Sequence, residues 1–223
     1  MTLTVKICGI TNLSDAKAAI LAGADYLGFI FVPQSPRSIS VTDAKAILAS
    51  LRSEPIKNEL PKKEALKMVG VFQNAKPLEV KQVTLSLKLD FIQLHGEEKI
   101  EDYVAIGCPL IRVVQDLQKP FEQNSAVAFY LLDRSKTMRQ ENWLAEVTRF
   151  VQQYANLPPL WLAGGLTLET LEDAMMAMDS NLAFCGVDVA SGVEKSPGQK
   201  DPDRMKAFCR TVKAAQMMMK GQG

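Results

Sequence analysis

Five places along the chain carry groups able to move a proton or hold an anion, and each stands at the end of a short apolar run: Cys8, His95, Asp133, the pair Gly164-Gly165, and Asp188 with Ser191-Gly192. A thiol and a carboxyl suggest acid–base chemistry, while paired glycines suit a loop whose amides approach a phosphate. Cys8 lies in Lys6-Ile7-Cys8-Gly9-Ile10-Thr11, where glycine directly after the thiol lets backbone and ligand come close. An ordinary thiol has a pKa of about 8.5, so service as a base calls for a downward push, and Lys6 on the same face is the candidate source. The alternative is an inert buried thiol. Asp133 ends Phe129-Tyr130-Leu131-Leu132, a position that suits either a functional carboxylate or the N-cap of a following helix. To act as an acid it must hold a proton near neutrality, which partial burial arranges by raising its pKa.

Gly164-Gly165 and Ser191-Gly192 follow the seventh and eighth apolar runs, where barrels commonly hold phosphate, although such pairs also serve ordinary turns. His95 is the single histidine, which excludes a multi-histidine metal site. It reads as a structural residue or a substrate contact rather than a proton carrier. Arg37, in Pro33-Gln34-Ser35-Pro36-Arg37-Ser38, either grips a carboxylate through its planar fork or sits solvated on the surface.

Bringing these residues to one place requires particular elements. Eight strand candidates alternate with helical patterns: Leu3 to Cys8, Asp25 to Phe31, Lys67 to Phe72, Phe91 to Leu94, Leu110 to Val114, Phe129 to Asp133, Leu160 to Ala163 and Ala183 to Val189. A helix is expected after each, with starts at Ser14, Thr42 and Thr167 and a stop at Gly23. The pattern predicts an α/β protein, a (β/α)8 TIM barrel formed by residues 1–223 as one domain. In the first strand Val5 and Ile7 suit the helix layer, so Lys6 and Cys8 point inward, Cys8 at the C-terminal end where barrel sites lie. The stretch between about Ser53 and Lys67, with Pro55 and Pro61, reads as a surface excursion, and the run Lys213 to Gly223 as the fraying end of the last helix.

The totals bound the partners. Hydrophobic residues make up 47% of the chain, charged residues 23%, and the formal net charge is +1, so no global field draws in nucleic acid or an anionic membrane. A small molecule is the expected ligand. Cys8, Cys108, Cys185 and Cys209 lack paired spacing, which fits reduced thiols in the cytoplasm. The first residues lack a signal-peptide pattern, and no apolar run approaches the roughly 20 residues of a membrane span.

Taken together, Lys6-Ile7-Cys8-Gly9-Ile10-Thr11, Gly28-Phe29-Ile30-Phe31 with Ser35-Pro36-Arg37-Ser38-Ile39-Ser40, Gly70-Val71-Phe72, Gln93-Leu94-His95-Gly96-Glu97, Leu162-Ala163-Gly164-Gly165-Leu166 and Val187-Asp188-Val189-Ala190-Ser191-Gly192-Val193-Glu194 resemble the phosphoribosylanthranilate isomerases of tryptophan biosynthesis. The likeness runs in order over nearly the whole chain. It implies an Amadori rearrangement of N-(5-phosphoribosyl)anthranilate without metal or organic cofactor, by a monomer or homodimer. Under that resemblance Cys8 is the general base at C2 of the ribose and Asp133 the general acid at the ring oxygen. Arg37 then faces the anthranilate carboxylate, and His95, Gly164, Gly165, Asp188, Ser191 and Gly192 complete the substrate site.

The chain departs from the pattern after Asp133, where Arg134-Ser135-Lys136-Thr137-Met138-Arg139-Gln140-Glu141-Asn142-Trp143 is shorter than in relatives and lacks glycine. If that loop covers the substrate, its loss bears on turnover. Two alternatives follow: a sister isomerase or lyase acting on a related ribose phosphate, for which a carboxylate base is expected, or a barrel that binds a phosphosugar with weak or no turnover.

Overall fold

A computed structural model describes residues 3–53, 66–134, 138–154, 156–179 and 183–220. The eight strands are β1 (Thr4–Cys8), β2 (Tyr26–Ile30), β3 (Lys67–Phe72), β4 (Phe91–Leu94), β5 (Leu110–Val114), β6 (Val127–Leu132), β7 (Leu160–Leu162) and β8 (Phe184–Val189). They pair in sequence order, all parallel, and β8 returns to β1 to close the barrel. Helices α1 (Leu13–Ala22), α2 (Val41–Arg52), α3 (Pro77–Leu87), α4 (Glu101–Val104), α5 (Gln140–Gln153), α6 (Leu171–Asp179) and α7 (Pro202–Lys220) form the outer layer. A short hairpin of β9 (Glu194–Ser196) and β10 (Gln199–Lys200) follows β8. Among the described residues no helix is long and apolar enough to cross a membrane.

Every strand expected from the sequence is present to within two residues at each end. The helix starts are two residues earlier than expected in the first two cases. Asn12 caps α1 by accepting from the Asp15 amide and donating to its carboxylate, and Ser40 caps α2 through the Asp43 amide and carboxylate. Each is a reciprocal capping pair, which leaves Ser14 and Thr42 already inside the first turn. At the third start, Thr170 accepts from the Thr167 amide just before α6. Gly23 closes α1, its amide reaching the carbonyls of Ala19 and Ile20.

A second correction concerns the connection after β5, where a helix was expected and residues 115–126 contain none. Lys119-Pro120 interrupts the segment, and Phe121 instead packs edge-on against Tyr130, Phe150 and Tyr154 at centroid distances of 4.9, 5.2 and 5.6 Å. One aromatic ring thus covers the barrel wall in place of an amphipathic helix. The expected surface excursion lies outside the described residues, as do residues 135–137 of the short connection after β6. The last helix runs to Lys220.

The core has two parts. Val5, Ile7, Leu27, Phe29 and their counterparts pack outward against the helices, whereas Val69, Ile111, Val113, Leu131, Trp161 and Ala163 fill the interior. Tyr26, Phe91, Phe129 and Cys185, one from each even strand, join this inner cluster, and Trp161 stacks on Phe129 at 5.2 Å and meets Tyr26 edge-on at 4.6 Å. These bulky side chains plug the barrel, so any site must open at the C-terminal ends of the strands.

Candidate active site

Strand alternation turns Lys6 and Cys8 inward, as expected: Lys6 is fully buried and Cys8 is 5% exposed, while Val5 and Ile7 lie in the outer core. The neighbouring strand makes room for them at Gly28. A Cβ there would stand 2.8 Å from Cys8 Sγ and 3.1 Å from Lys6 Cε, so only glycine fits beside the thiol. From β8, Asp188 reaches across to Lys6, Nζ to Oδ1 at 3.0 Å. Both atoms are shut off from solvent, and each is the other's ion-pair partner.

The electrostatics of Cys8 differ from expectation. Burial pushes the thiol above its ordinary value, and Asp188 adds to this, while Lys6 and Lys200 pull the other way without prevailing. The field of Lys6 is present as anticipated, but desolvation outweighs it. Lys6 itself is drawn down by burial, yet Asp188 and Cys8 together hold it above the usual lysine value, so it remains a cation.

That buried cation yields a stability prediction. Asp188→Asn strands the Lys6 charge, an effect of about 3 kcal/mol or more, or roughly 6 °C or more in Tm for a chain of this size. Thermal denaturation of the variant tests this, and an unchanged Tm would mean that Lys6 does not depend on Asp188 for its charge.

Asp133 stands just beyond the end of β6, three strands around the closed barrel from β1. Its carboxyl is pushed up to about 6, first by burial and then by Asp188, with Lys6 and Arg134 acting in the opposite direction. The charges of Lys6 and Asp188 act on both Cys8 and Asp133, which stand at the ends of β1 and β6 on the same side of the barrel. Asp133 is not the cap of α5, whose N-cap position is Arg139. His95 Nε2 lies 3.4 Å from Asp133 Oδ2 and 3.2 Å from Gln115 Nε2. Burial, with Lys6 next, holds the imidazole below its ordinary pKa, so it faces the carboxyl as a neutral ring. Buried Glu98 fixes the loop bearing His95 by accepting from the amides of Gly96 and Asn74 at 2.7 and 2.6 Å and from Arg112 at 3.2 Å.

Arg37 is not a solvated surface residue. Its stem lies over Gly9, next to Cys8, and its Nε and Nη2 bind the Glu194 carboxylate at 2.8, 3.1 and 2.7 Å. Lys200 Nζ holds the same carboxylate at 2.8 Å. Burial alone would raise the Glu194 pKa, but Arg37 and Lys200 overcome it and keep the group ionised. Neither Glu194 nor Lys200 was assigned a role from the sequence. A buried lysine and a surface lysine look alike in one chain, and the only local sign was the charge of Glu194 at the end of the last motif.

The two glycine loops meet on the same side of the mouth. Gly164 and Gly165 have φ of +92° and +78°, and a Cβ at either would strike Arg134, at 2.3 and 2.4 Å. Arg134 Nε donates to the Gly164 carbonyl at 2.8 Å, and its Nη1 donates to the Met138 carbonyl. Gly192 abuts the Leu166 carbonyl so closely that a Cβ would overlap it, and Ser191 is exposed on the short 3-10 turn Ser191–Val193. All nine residues singled out by the sequence thus lie at or just inside one barrel end, with Gln115, Arg134, Glu194 and Lys200 added by the fold.

A family model described as N-(5'phosphoribosyl)anthranilate (PRA) isomerase matches residues 5–211. The N-(5'-phosphoribosyl)anthranilate isomerase of Paracoccus denitrificans is 34% identical over 221 residues, covering 93% of this chain and 96% of that one. The crystal structure of phosphoribosyl anthranilate isomerase from Thermus thermophilus is similar with a TM-score of 0.74 at 29% identity, over 96% of this chain and all of the other. A phosphoribosyl anthranilate isomerase in complex with reduced 1-(o-carboxyphenylamino)-1-deoxyribulose 5-phosphate is similar with the same TM-score at 32% identity, again over 96% of this chain and all of the other.

Proposed function

The chain belongs to the N-(5'-phosphoribosyl)anthranilate isomerase family, and from that premise we propose that Cys8 and Asp133 are the base and acid of its reaction. The reaction is the Amadori rearrangement of N-(5-phosphoribosyl)anthranilate to 1-(2-carboxyphenylamino)-1-deoxyribulose 5-phosphate, the isomerase step of tryptophan biosynthesis. Family membership favours this activity over a sister phosphosugar enzyme or a barrel that only binds.

In the proposed mechanism the Asp133 carboxylic acid gives its proton to the furanose oxygen as the C1–O bond breaks, and the nitrogen lone pair forms C1=N. The Cys8 thiolate then removes the proton from C2. Those electrons form C1=C2 and nitrogen recovers its lone pair; the enol becomes the ketone as C1 takes a proton while the C2 hydroxyl gives one up, and proton exchange with water returns Cys8 to the thiolate and Asp133 to the acid. Each proton transfer is worth about 10²- to 10⁴-fold. The observation that carries this reading is the placement of a thiol at the end of β1 and a carboxyl just after β6 at the same end of the barrel, with the Lys6–Asp188 pair acting on both. The carboxyl has a pKa of about 6, which keeps a usable fraction protonated near neutrality. Gly164-Gly165 and Ser191-Gly192, with the Arg134 guanidinium packed on the first pair, are the loops that would hold the phosphate.

Arg37 in this reading grips the anthranilate carboxylate. Arg37→Ala is expected to raise KM about tenfold or more with kcat changed much less, because the contact is made equally in ground and transition states. Steady-state kinetics test it, and an unaltered KM would assign Arg37 to structure alone. For Cys8 and Asp133 the kinetic tests are those set out in the Discussion.

A further inference from the structure

Glu194 is 6% exposed, yet its carboxylate is turned between two cations from distant parts of the chain, Arg37 after β2 and Lys200 on β10. Lys200, at 3% exposure, is itself anchored: its Nζ also donates to the Ala190 carbonyl at 3.0 Å, and its amide to Asp15 Oδ2 at 2.9 Å. The hairpin carrying both residues is tied to the loop after β1, where Thr11 Oγ1 donates to the Gly198 carbonyl at 2.7 Å. Two-point pairing with a fixed carboxylate sets both the plane and the direction of a guanidinium. It engages Nε and Nη2 of Arg37 and leaves the Nη1 edge outside the pair.

We propose that Glu194, clamped by Lys200, is a positioning residue that aims Arg37 at the carboxylate on the substrate's aromatic ring and so sets the preference for ring-carboxylated substrates. The proposal rests on the role given to Arg37 above. An arginine free to rotate would bind the same carboxylate only at the cost of ordering its own side chain, whereas this one is held in place beforehand. The clamp makes no contact with Cys8 or Asp133, but the Lys200 charge favours the Cys8 thiolate, so its effect on recognition is read from ligand binding, in which no proton moves.

The test compares two ligands on the full chain by calorimetric titration: reduced 1-(o-carboxyphenylamino)-1-deoxyribulose 5-phosphate and the same molecule without the ring carboxylate. The informative variant is E194Q/K200M, which removes both buried charges together and strands neither. The unmodified protein is expected to favour the carboxylated ligand by about 10- to 100-fold, and the double variant to lose most of that preference. Affinity for the carboxylate-free ligand should hold within about threefold, with KM for the substrate up about tenfold. Glu194→Asp, which keeps the charge, should recover part of the preference and serves as the measurement if the double variant does not fold. A preference retained in these variants but lost in Arg37→Ala overturns the proposal, as does equal loss of affinity for both ligands. A preference retained in Arg37→Ala overturns instead the reading of Arg37 on which it rests.

Discussion

Cys8→Ser is expected to lower kcat by about 10²- to 10⁴-fold while leaving affinity for the carboxylated product analogue within about threefold. The substitution is small. Oxygen is smaller than sulfur, so it fits the space that Gly28 leaves, and a hydroxyl beside the buried Lys6 cation is not an unpaired polar group. The fold should therefore survive, and what is lost is acidity. A thiol, even one pushed above its ordinary value by burial, ionises far more readily than a serine hydroxyl in the same place. Because Lys6 and Lys200 still favour an anion there, their field reaches the oxygen without being able to make it a comparable base. Single-turnover kinetics with the substrate separate chemistry from binding. A variant that turns over at the original rate would remove the thiol from the mechanism and leave Cys8 as packing.

Asp133→Asn should cost a comparable factor and also change the shape of the pH profile. The working form of the protein has a protonated Asp133 and an ionised Cys8. Since the carboxyl titrates at about 6 and the thiol above its ordinary value, this form is always a minor one. Below pH 6 the acid is fully protonated, and kcat/KM falls about tenfold per unit with the thiolate fraction. Between pH 6 and the thiol pKa the gain in thiolate cancels the loss of protonated carboxyl, which gives a plateau. Above the thiol pKa the rate falls again. In Asp133→Asn the falling component is gone, so the residual rate should climb about tenfold per pH unit across the former plateau. A residual profile that stays flat there would show that another group supplies the proton, and His95, 3.4 Å away, would be the first to test.

The connection after β6 carries the departure from the family pattern expected from the sequence. Arg134, the first residue of that connection, binds the Gly164 carbonyl and packs on both glycines of the next loop. The short connection thus ties Asp133 directly to the neighbouring loop through a guanidinium, a contact that nothing in the local sequence announced.

The eight strands, their inner and outer faces and the residues at their C-terminal ends were legible in the amino-acid pattern. These follow from the alternation of side chains along a strand, a local property that survives even where the expected helix after β5 is replaced by Phe121 against three aromatic rings. The capping residues shifted by two positions for an equally local reason, since Asn12 and Ser40 bond to an amide and a carboxylate three residues on. The electrostatics, by contrast, arise from the assembled fold. The Lys6–Asp188 pair, the His95–Asp133 contact and the Glu194 clamp join residues 182, 38, 157 and 6 positions apart. The pKa of Cys8 depends on how much water the closed barrel excludes. Burial and long-range pairing are sums over the whole fold, so no stretch of sequence contains the answer to either.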